Sequence, residues 1–192
     1  LLLQRIIAGL EKLTTGAPLA YIVGIKRFYE LDFKVNKHVL IPRQETEELV
    51  HWLIQDYKNK SQVQILDIGT GSGCIPISLA HFLPQAKLQA LDVSESALQL
   101  AAKNATLNNT PVLFHQFDIL SNKFPESFDT VLFDCIVSNP PYIRTSEAEL
   151  MHRNVLHFEP HLALFVTDEK PLLFYEAIAN FAQFYLKKGG AI

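Results

Sequence analysis

The sequence has little of what marks a membrane, secreted or nucleic-acid-coating protein. No apolar run among its 192 residues approaches the roughly 18 needed to span a bilayer, and no charged start, apolar middle and small-residue cleavage site forms a secretory signal. The expected location is the cytoplasm, without membrane association. Cysteine is scarce: Cys74 and Cys135 form no CxxC pair and sit in apolar stretches, which excludes a disulfide framework and predicts two buried free thiols. Positive charge is not in surplus either, with 17 Lys and Arg against 20 Asp and Glu and a formal net charge of -3. Without a global basic field, direct nucleic-acid binding is not expected. His152, His157 and His161 match no zinc spacing such as H-E-x-x-H and read as solvated or locally bonded side chains, so no metal is expected.

What is present is a chain that is 48% hydrophobic and 19% charged, enough to build one globular core with a small appendage. It begins "LLLQ" without a methionine and ends "LKKGGAI", where a Gly-Gly turn starts an apolar run; both ends predict a piece of a longer protein. Leu2, Ile6, Leu10 and Leu13 recur at helical spacing before Thr14, Thr15 and Gly16 end the pattern. From Tyr21 to Val39 short aromatic and β-branched runs predict small strands or hairpins, and Leu49, Val50, Leu53 and Ile54 predict a helix over 45–57. After "KNKSQ" the rhythm changes to strands alternating with helices: "VQILDIG", "IPISLAHFL", "AKLQALDV", "ESALQLAAKNATLN", "VLFHQF" and "TVLFDCIVS". That alternation predicts an α/β fold of parallel βαβ units with a mostly parallel sheet covered on both faces. A polar, irregular segment to about 160 and a helix over 172–186, with a core stripe of Phe174, Ile178, Phe181 and Tyr185, complete the chain; Lys187 and Lys188 read as complements to that helix's C-terminus. Two units are expected, 1–57 as the end of a helical region plus a β-hairpin linker and 58–192 as the α/β core.

In open α/β sheets ligands bind beyond the carboxyl ends of the strands, so the residues after each strand carry the information. The first strand ends in "LDIGTGSGC". Gly69, Gly71 and Gly73 permit a sharp turn and close approach of a ligand to the backbone, with Thr70 and Ser72 between them. Neither glycine register completes G-x-G-x-x-G/A, since the sixth position is Cys74 or Pro76, and no Walker lysine follows. Asp67 beside the loop would repel a pyrophosphate and favour an ammonium or sulfonium; near 4 Å and an effective dielectric of about 20, that difference in sign is worth on the order of several kcal/mol. S-adenosylmethionine therefore suits the loop better than NAD. Asp92 lies 23 positions after Gly69, placed for ribose hydroxyls, and Asp118 follows the third strand, where a polar side chain could meet an adenine amino group. Each acid alone could as well be a helix cap or a turn former.

The stretch "IVSNPPYI" stops a strand with Asn139, Pro140, Pro141 and Tyr142. Two prolines cannot donate to a ladder, which explains the stop but not the flanking residues. An amide or exocyclic base nitrogen has a delocalised lone pair and is a poor nucleophile. Methylating it requires acceptors that grip both N–H bonds and orient the nitrogen. Asn139 offers a side-chain carbonyl, Pro140 a backbone carbonyl whose direction Pro141 restricts, and Tyr142 a flat face. Orientation and fixed dipoles would supply the catalysis.

Together with "APLAYIVGIKRFYELDFKV", "VLIPRQETEELV", "LDVSESAL" and "FEPHLALF", these motifs resemble the HemK/PrmC protein-glutamine N5-methyltransferases over nearly the whole chain from Ala17. The resemblance implies a Rossmann-like class I S-adenosylmethionine-dependent methyltransferase that modifies the glutamine of the Gly-Gly-Gln motif in peptide chain release factors. It implies cofactor contacts from Gly69 to Gly73, Asp67, Asp92, Asp118, Ile119 and Asn139. It also implies an acceptor site of Asn139, Pro140, Pro141 and Tyr142, lined by Arg43, Glu45 and Thr46, in a monomer. Three departures stand out. Ile119 sits where some relatives carry an aromatic cofactor contact. Two "FD" pairs precede Asn139, and either could begin the strand. The family's helical N-terminal domain and its final strands are almost absent. Asn-Pro-Pro-Tyr also occurs in DNA adenine-N6 methyltransferases, a rival that needs a basic face and a target-recognition region, neither of which this sequence carries. A non-catalytic cofactor-binding module is the rival from another class, and a nicotinamide-dependent oxidoreductase ranks last because the fingerprint fails.

Overall fold

The computed structural model describes residues 2–121 and 131–192. Strands β3 (Gln64–Ile68), β4 (Lys87–Asp92), β5 (Val112–Gln116), β6 (Phe133–Ser138) and β9 (Leu186–Ala191) form one sheet in the order β5-β4-β3-β6-β9. Every pair in it is parallel. Helices α4 (Cys74–Phe82), α5 (Glu95–Leu107) and α7 (Leu173–Tyr185) make the crossovers. The alternation in the sequence is therefore borne out as a parallel sheet covered on both faces. One apolar layer joins β3 to α3 (Gln44–Tyr57) and α4 through Ile65, Val50 and Ile77; the other joins Leu66, Ile68 and Ile136 to Ile178 and Phe181 of α7. Neighbouring residues of β3 serve opposite layers, as the two-residue period of a strand requires.

The chain leaves β3 toward β4 and β5 on one side and returns to β6 and β9 on the other. The order thus reverses between β3 and β6, which opens a crevice at their carboxyl ends.

Ahead of the sheet lie α1 (Leu2–Thr14), α2 (Leu19–Val23) and a hairpin of β1 (Ile25–Phe28) and β2 (Leu31–Lys34). The hairpin confirms the short strands read from the sequence, except that "LAYIV" is helical, closed by Gly24 at φ 80°. Phe28 and Phe33 of the hairpin meet edge-to-face at 5.9 Å and join the same apolar cluster as Ile65.

Several expectations are corrected. The segment after Tyr142 is not irregular: it holds β7 (Ile143–Arg144), a 3-10 turn over Thr145–Leu150, α6 (Arg153–Phe158), a second 3-10 turn over His161–Ala163, and β8 (Phe165–Val166), which pairs with β7. Lys187 and Lys188 do not complement a helix end, and Gly189 and Gly190 are not a turn; all four lie within β9. The Lys187 ammonium sits 2.8 Å from the Asp134 carboxylate, which also accepts from the Gln64 N–H, so the pair ties β9 and β3 to the start of β6. Of the two "FD" pairs, Phe133-Asp134 begins β6; Phe128-Asp129 lies outside the described residues. Cys74 and Cys135 are buried free thiols, as expected. Among the described residues no helix is long and apolar enough to cross a membrane.

Candidate active site

The glycine loop follows β3 and the Asn-Pro-Pro-Tyr loop follows β6, so adjacent strands deliver both to the crevice where the strand order reverses. A cavity of about 260 Å³ opens there. Gly69, Thr70, Gly71, Ser72, Asp92 and Ser94 line one side; Asn139, Pro140, Pro141, Arg43 and Thr46 line another, and Asp118 and Ile119 also contribute.

The loop's shape follows from its glycines. Gly69, Gly71 and Gly73 have φ of 74°, 55° and 79°, the left-handed region that side-chain-bearing residues avoid. The space where Cβ atoms would stand on Gly69 and Gly71 is open, leaving room for a ligand against the backbone, whereas a Cβ on Gly73 would come within 2.8 Å of Ile77 and 3.1 Å of Ala101. The amides of Gly69 and Thr70 each donate to the Leu91 carbonyl at 2.9 Å, folding the loop over β4. Asp92 fastens it there: one carboxylate oxygen accepts from the Gly71 N–H at 2.8 Å and the other from the Ser94 N–H at 2.9 Å. Burial raises the Asp92 pKa, and the N–H donors of Ser94, Gly71 and Val93 oppose that rise.

Asp67 is fully buried beneath the loop and does not line the cavity. Burial pushes its carboxyl up to about 7, against a downward pull from nearby Thr70, with the negative charge of Asp92 adding to the rise. Thr70 does not complete a hydrogen bond to it: both Asp67 oxygens and the Thr70 hydroxyl are buried without a partner. The Thr70 hydroxyl, without a partner, and the Asp92 carboxylate both line the cavity beside a glycine loop that contains no Lys or Arg, and these acceptors fit the cationic, hydrogen-bond-donating S-adenosylmethionine. Cys74 also lines the cavity, but burial pushes its thiol up to about 12, so it supplies no nucleophile.

On the opposite side, β6 ends at Ser138, whose hydroxyl donates to the Ile68 carbonyl at 2.6 Å and locks the ends of β3 and β6 together. Beyond Tyr142 the Ile143 N–H donates to the Leu164 carbonyl, so the Asn-Pro-Pro-Tyr loop is held at both ends. The Asn139 side-chain N–H donates to the hydroxyl of buried Thr46 at 3.4 Å, which turns the Asn139 carbonyl away from α3. Thr46 is thus brought to Asn139 across 93 positions of sequence.

Arg43 is placed by Glu159: the guanidinium lies 2.6 Å from one carboxylate oxygen, and the other accepts from the Ile41 N–H at 3.0 Å. The Tyr21 hydroxyl donates to the Val39 carbonyl at 2.6 Å, so the strap over 36–43 is pinned from two directions.

Not every expected residue joins the cavity. Glu45 is exposed on the first turn of α3, and Tyr142 is 57% exposed; neither forms part of the wall. Asp118 accepts from the Leu120 N–H at 2.9 Å, the turn-forming role open to it from the start, while also reaching the wall. His152, His157 and His161 are exposed, with His161 bonded to the Leu156 carbonyl.

Sequence reasoning passed over Phe117, Lys37 and His38 in the wall and Glu159 behind it, and it read Phe174, which packs against the core and also lines the wall, as core alone. Phe117 falls just after β5 and immediately before Asp118, so its position after a strand was the available signal. Lys37 and His38 carry no periodic signal at all.

Residues 44–163 match the family model described as the methyltransferase small domain. A release factor glutamine methyltransferase of Flavobacterium psychrophilum is 48% identical over 186 residues, 95% of this chain and 64% of that protein. One from Bacteroides thetaiotaomicron is 44% identical over 190 residues, 99% and 66%. The chain thus spans slightly less than two thirds of the length of these relatives, and they bear out the resemblance drawn from the motifs. Among solved structures, the hMettl16 catalytic domain has a TM-score of 0.61 at 18% identity, covering 88% of this chain and 64% of that one. A human methyltransferase 10 domain-containing protein has a TM-score of 0.55 at 20% identity, covering 83% and 69%. At these identities the two structures show the fold alone.

Proposed function

We propose, for a chain that belongs to the methyltransferase small domain family, that it methylates the side-chain amide nitrogen of glutamine in the Gly-Gly-Gln motif of peptide chain release factors, drawing on S-adenosylmethionine. The observation that carries this reading is Asn139 at the end of β6, in one cavity with the glycine loop, its N–H engaged by Thr46 so that its carbonyl is left for an acceptor. The names of the relatives support the choice of glutamine over a base amine.

When bound, S-adenosylmethionine supplies an electrophilic methyl group on a cationic sulfur. The chain's own residues do the rest. The Asn139 carbonyl takes one N–H of the acceptor amide and the Pro140 carbonyl takes the other, which fixes the plane of the amide and turns the nitrogen toward the glycine loop. Neither carbonyl is basic enough to deprotonate an amide beforehand. Once the methyl carbon has passed from sulfur to nitrogen, with the pair of the broken bond left on sulfur, the nitrogen is strongly acidic and its proton leaves along one of these hydrogen bonds to water. Pro141, Pro160, Leu162, Ala163 and Phe174 give the cavity an apolar wall, which strengthens the fixed dipoles by excluding water. Tyr142, exposed directly after Pro141, offers its ring to the planar group as it enters. Asp92 is available to ribose hydroxyls at the loop.

The test supplies labelled S-adenosylmethionine to the full-length protein with a release factor or, separately, with adenine-rich duplex DNA. Label on the Gly-Gly-Gln glutamine, located by mass spectrometry and lost in Asn139→Ala, is the expected result. Label on DNA alone, or label on the release factor that survives Asn139→Ala, would refute the proposal.

A further inference from the structure

Asn104, on α5, is completely buried, and the cavity wall does not include it. Its side chain nonetheless holds two separate pieces of backbone. The carbonyl accepts from the Lys34 N–H at 2.7 Å, while the amide group donates to the Lys34 carbonyl at 3.0 Å and to the Ser72 carbonyl at 2.8 Å. The donors and acceptors admit one orientation only, because Lys34 presents an N–H on one side and two carbonyls await on the other. Lys34 ends strand β2 of the hairpin; Ser72 belongs to the glycine loop.

The face of α5 that carries Asn104 abuts the loop along its length. Ala97 lines the cavity, Ala101 is with Ile77 one of the two residues a Cβ on Gly73 would crowd, and Asn104 comes next at the spacing that keeps all three on one side. Asn108, one turn further on, donates to the Asp32 carbonyl at 3.0 Å and so holds the hairpin without touching the loop.

We infer that Asn104 is a positioning residue that joins the β1–β2 hairpin to the glycine loop as one unit, so that the hairpin, none of whose residues lines the cavity, sets the methyl-donor site. One side chain grips both pieces of backbone. A buried three-bonded amide transmits displacement because none of its bonds can be exchanged for water. The inference rests on the assignment of the glycine loop as the donor site. By thermodynamic reciprocity, a hairpin that sets donor affinity must itself be tightened when the donor site fills.

Two measurements on the full-length protein test this. The first is calorimetric affinity for S-adenosylhomocysteine, the demethylated product, in the unaltered protein, Asn104→Ala and Asn108→Ala. Loss of the Asn104 anchors should weaken binding about tenfold, within the usual range of coupling between sites, while Asn108→Ala, which leaves the Asn104 side-chain bonds to Lys34 and Ser72 in place, stays within about twofold. The second is amide hydrogen exchange of the unaltered protein with and without S-adenosylhomocysteine, which requires no variant to fold. The Lys34 amide should slow together with the amides of 69–73. Slowing of the loop alone, or equal weakening by both substitutions, overturns the inference and leaves the donor site standing. No binding by the unaltered protein overturns the donor-site assignment and this inference with it.

Discussion

Glu159 offers the sharpest test of how the proposed acceptor side is built. Its carboxylate is 2% exposed, pairs with Arg43 at 2.6 Å and accepts the Ile41 N–H at 3.0 Å. Replacing it with alanine leaves a buried N–H unpaired, about 1–3 kcal/mol, and removes the partner of a guanidinium. Breaking a fully buried pair costs about 3–5 kcal/mol, but the Arg43 side chain is 36% exposed and can turn to water, so the total should lie near the lower end, roughly 3 kcal/mol. At about 2–4 °C per kcal/mol for a chain of this size, Glu159→Ala should lower Tm by roughly 6–12 °C. Glu159→Gln keeps an acceptor for Ile41 and should lose less. A double-mutant cycle with Arg43→Ala, read by denaturant melts, should give a coupling of about 1–3 kcal/mol that persists in 1 M salt, since a buried pair is poorly screened. Additive losses within about 0.5 kcal/mol would refute the clamp. In transfer assays Glu159→Gln should reduce turnover while leaving affinity for S-adenosylhomocysteine within about twofold, because the strap it holds carries Arg43 and leads into Thr46 and not into the glycine loop.

Asp67 makes the pH dependence specific. With its folded pKa near 7 against an ordinary 3.8, the folded state holds a proton that the unfolded state has released. Its contribution therefore favours folding at low pH and declines as pH rises from about 4 to about 7. Asp67→Asn should raise Tm at pH 8 and change it little at pH 4; calorimetric melts at the two pH values check this. Gly73→Ala forces a Cβ against Ile77 and Ala101 at φ 79° and should destabilise by about 1–3 kcal/mol in denaturant melts, more than Gly69→Ala, whose Cβ would meet open space. Thr46→Val keeps the shape but removes the hydroxyl that takes the Asn139 N–H; it should lower turnover severalfold with Tm within about 2 °C, and an unchanged rate would separate Thr46 from the acceptor site.

The parallel sheet was legible in the sequence because a strand covered on both faces must be apolar throughout and a parallel return needs a helix, so "VQILDIG" to "ESALQLAAKNATLN" announces itself locally. The two loops of the cavity were legible for a related reason. Left-handed backbone demands Gly69, Gly71 and Gly73, and a ladder cannot run through Pro140 and Pro141, so these positions constrain residue type by local geometry alone. The segment beyond Tyr142 was not legible, because α6 and the β7–β8 pair are too short to carry a period and are held by contacts with distant chain. The same applies to Lys187, whose partner is Asp134 in a neighbouring strand, 53 positions earlier. Glu159 beside Arg43, Thr46 beside Asn139, and Asn104 between Lys34 and Ser72 meet across 116, 93, 70 and 32 positions, distances over which no pattern in the sequence survives. Local sterics and hydrophobic period determine which elements and turns this chain makes. Only folding decides which polar side chains share a buried space, since an unpaired buried group must find its partner wherever the packed chain brings one.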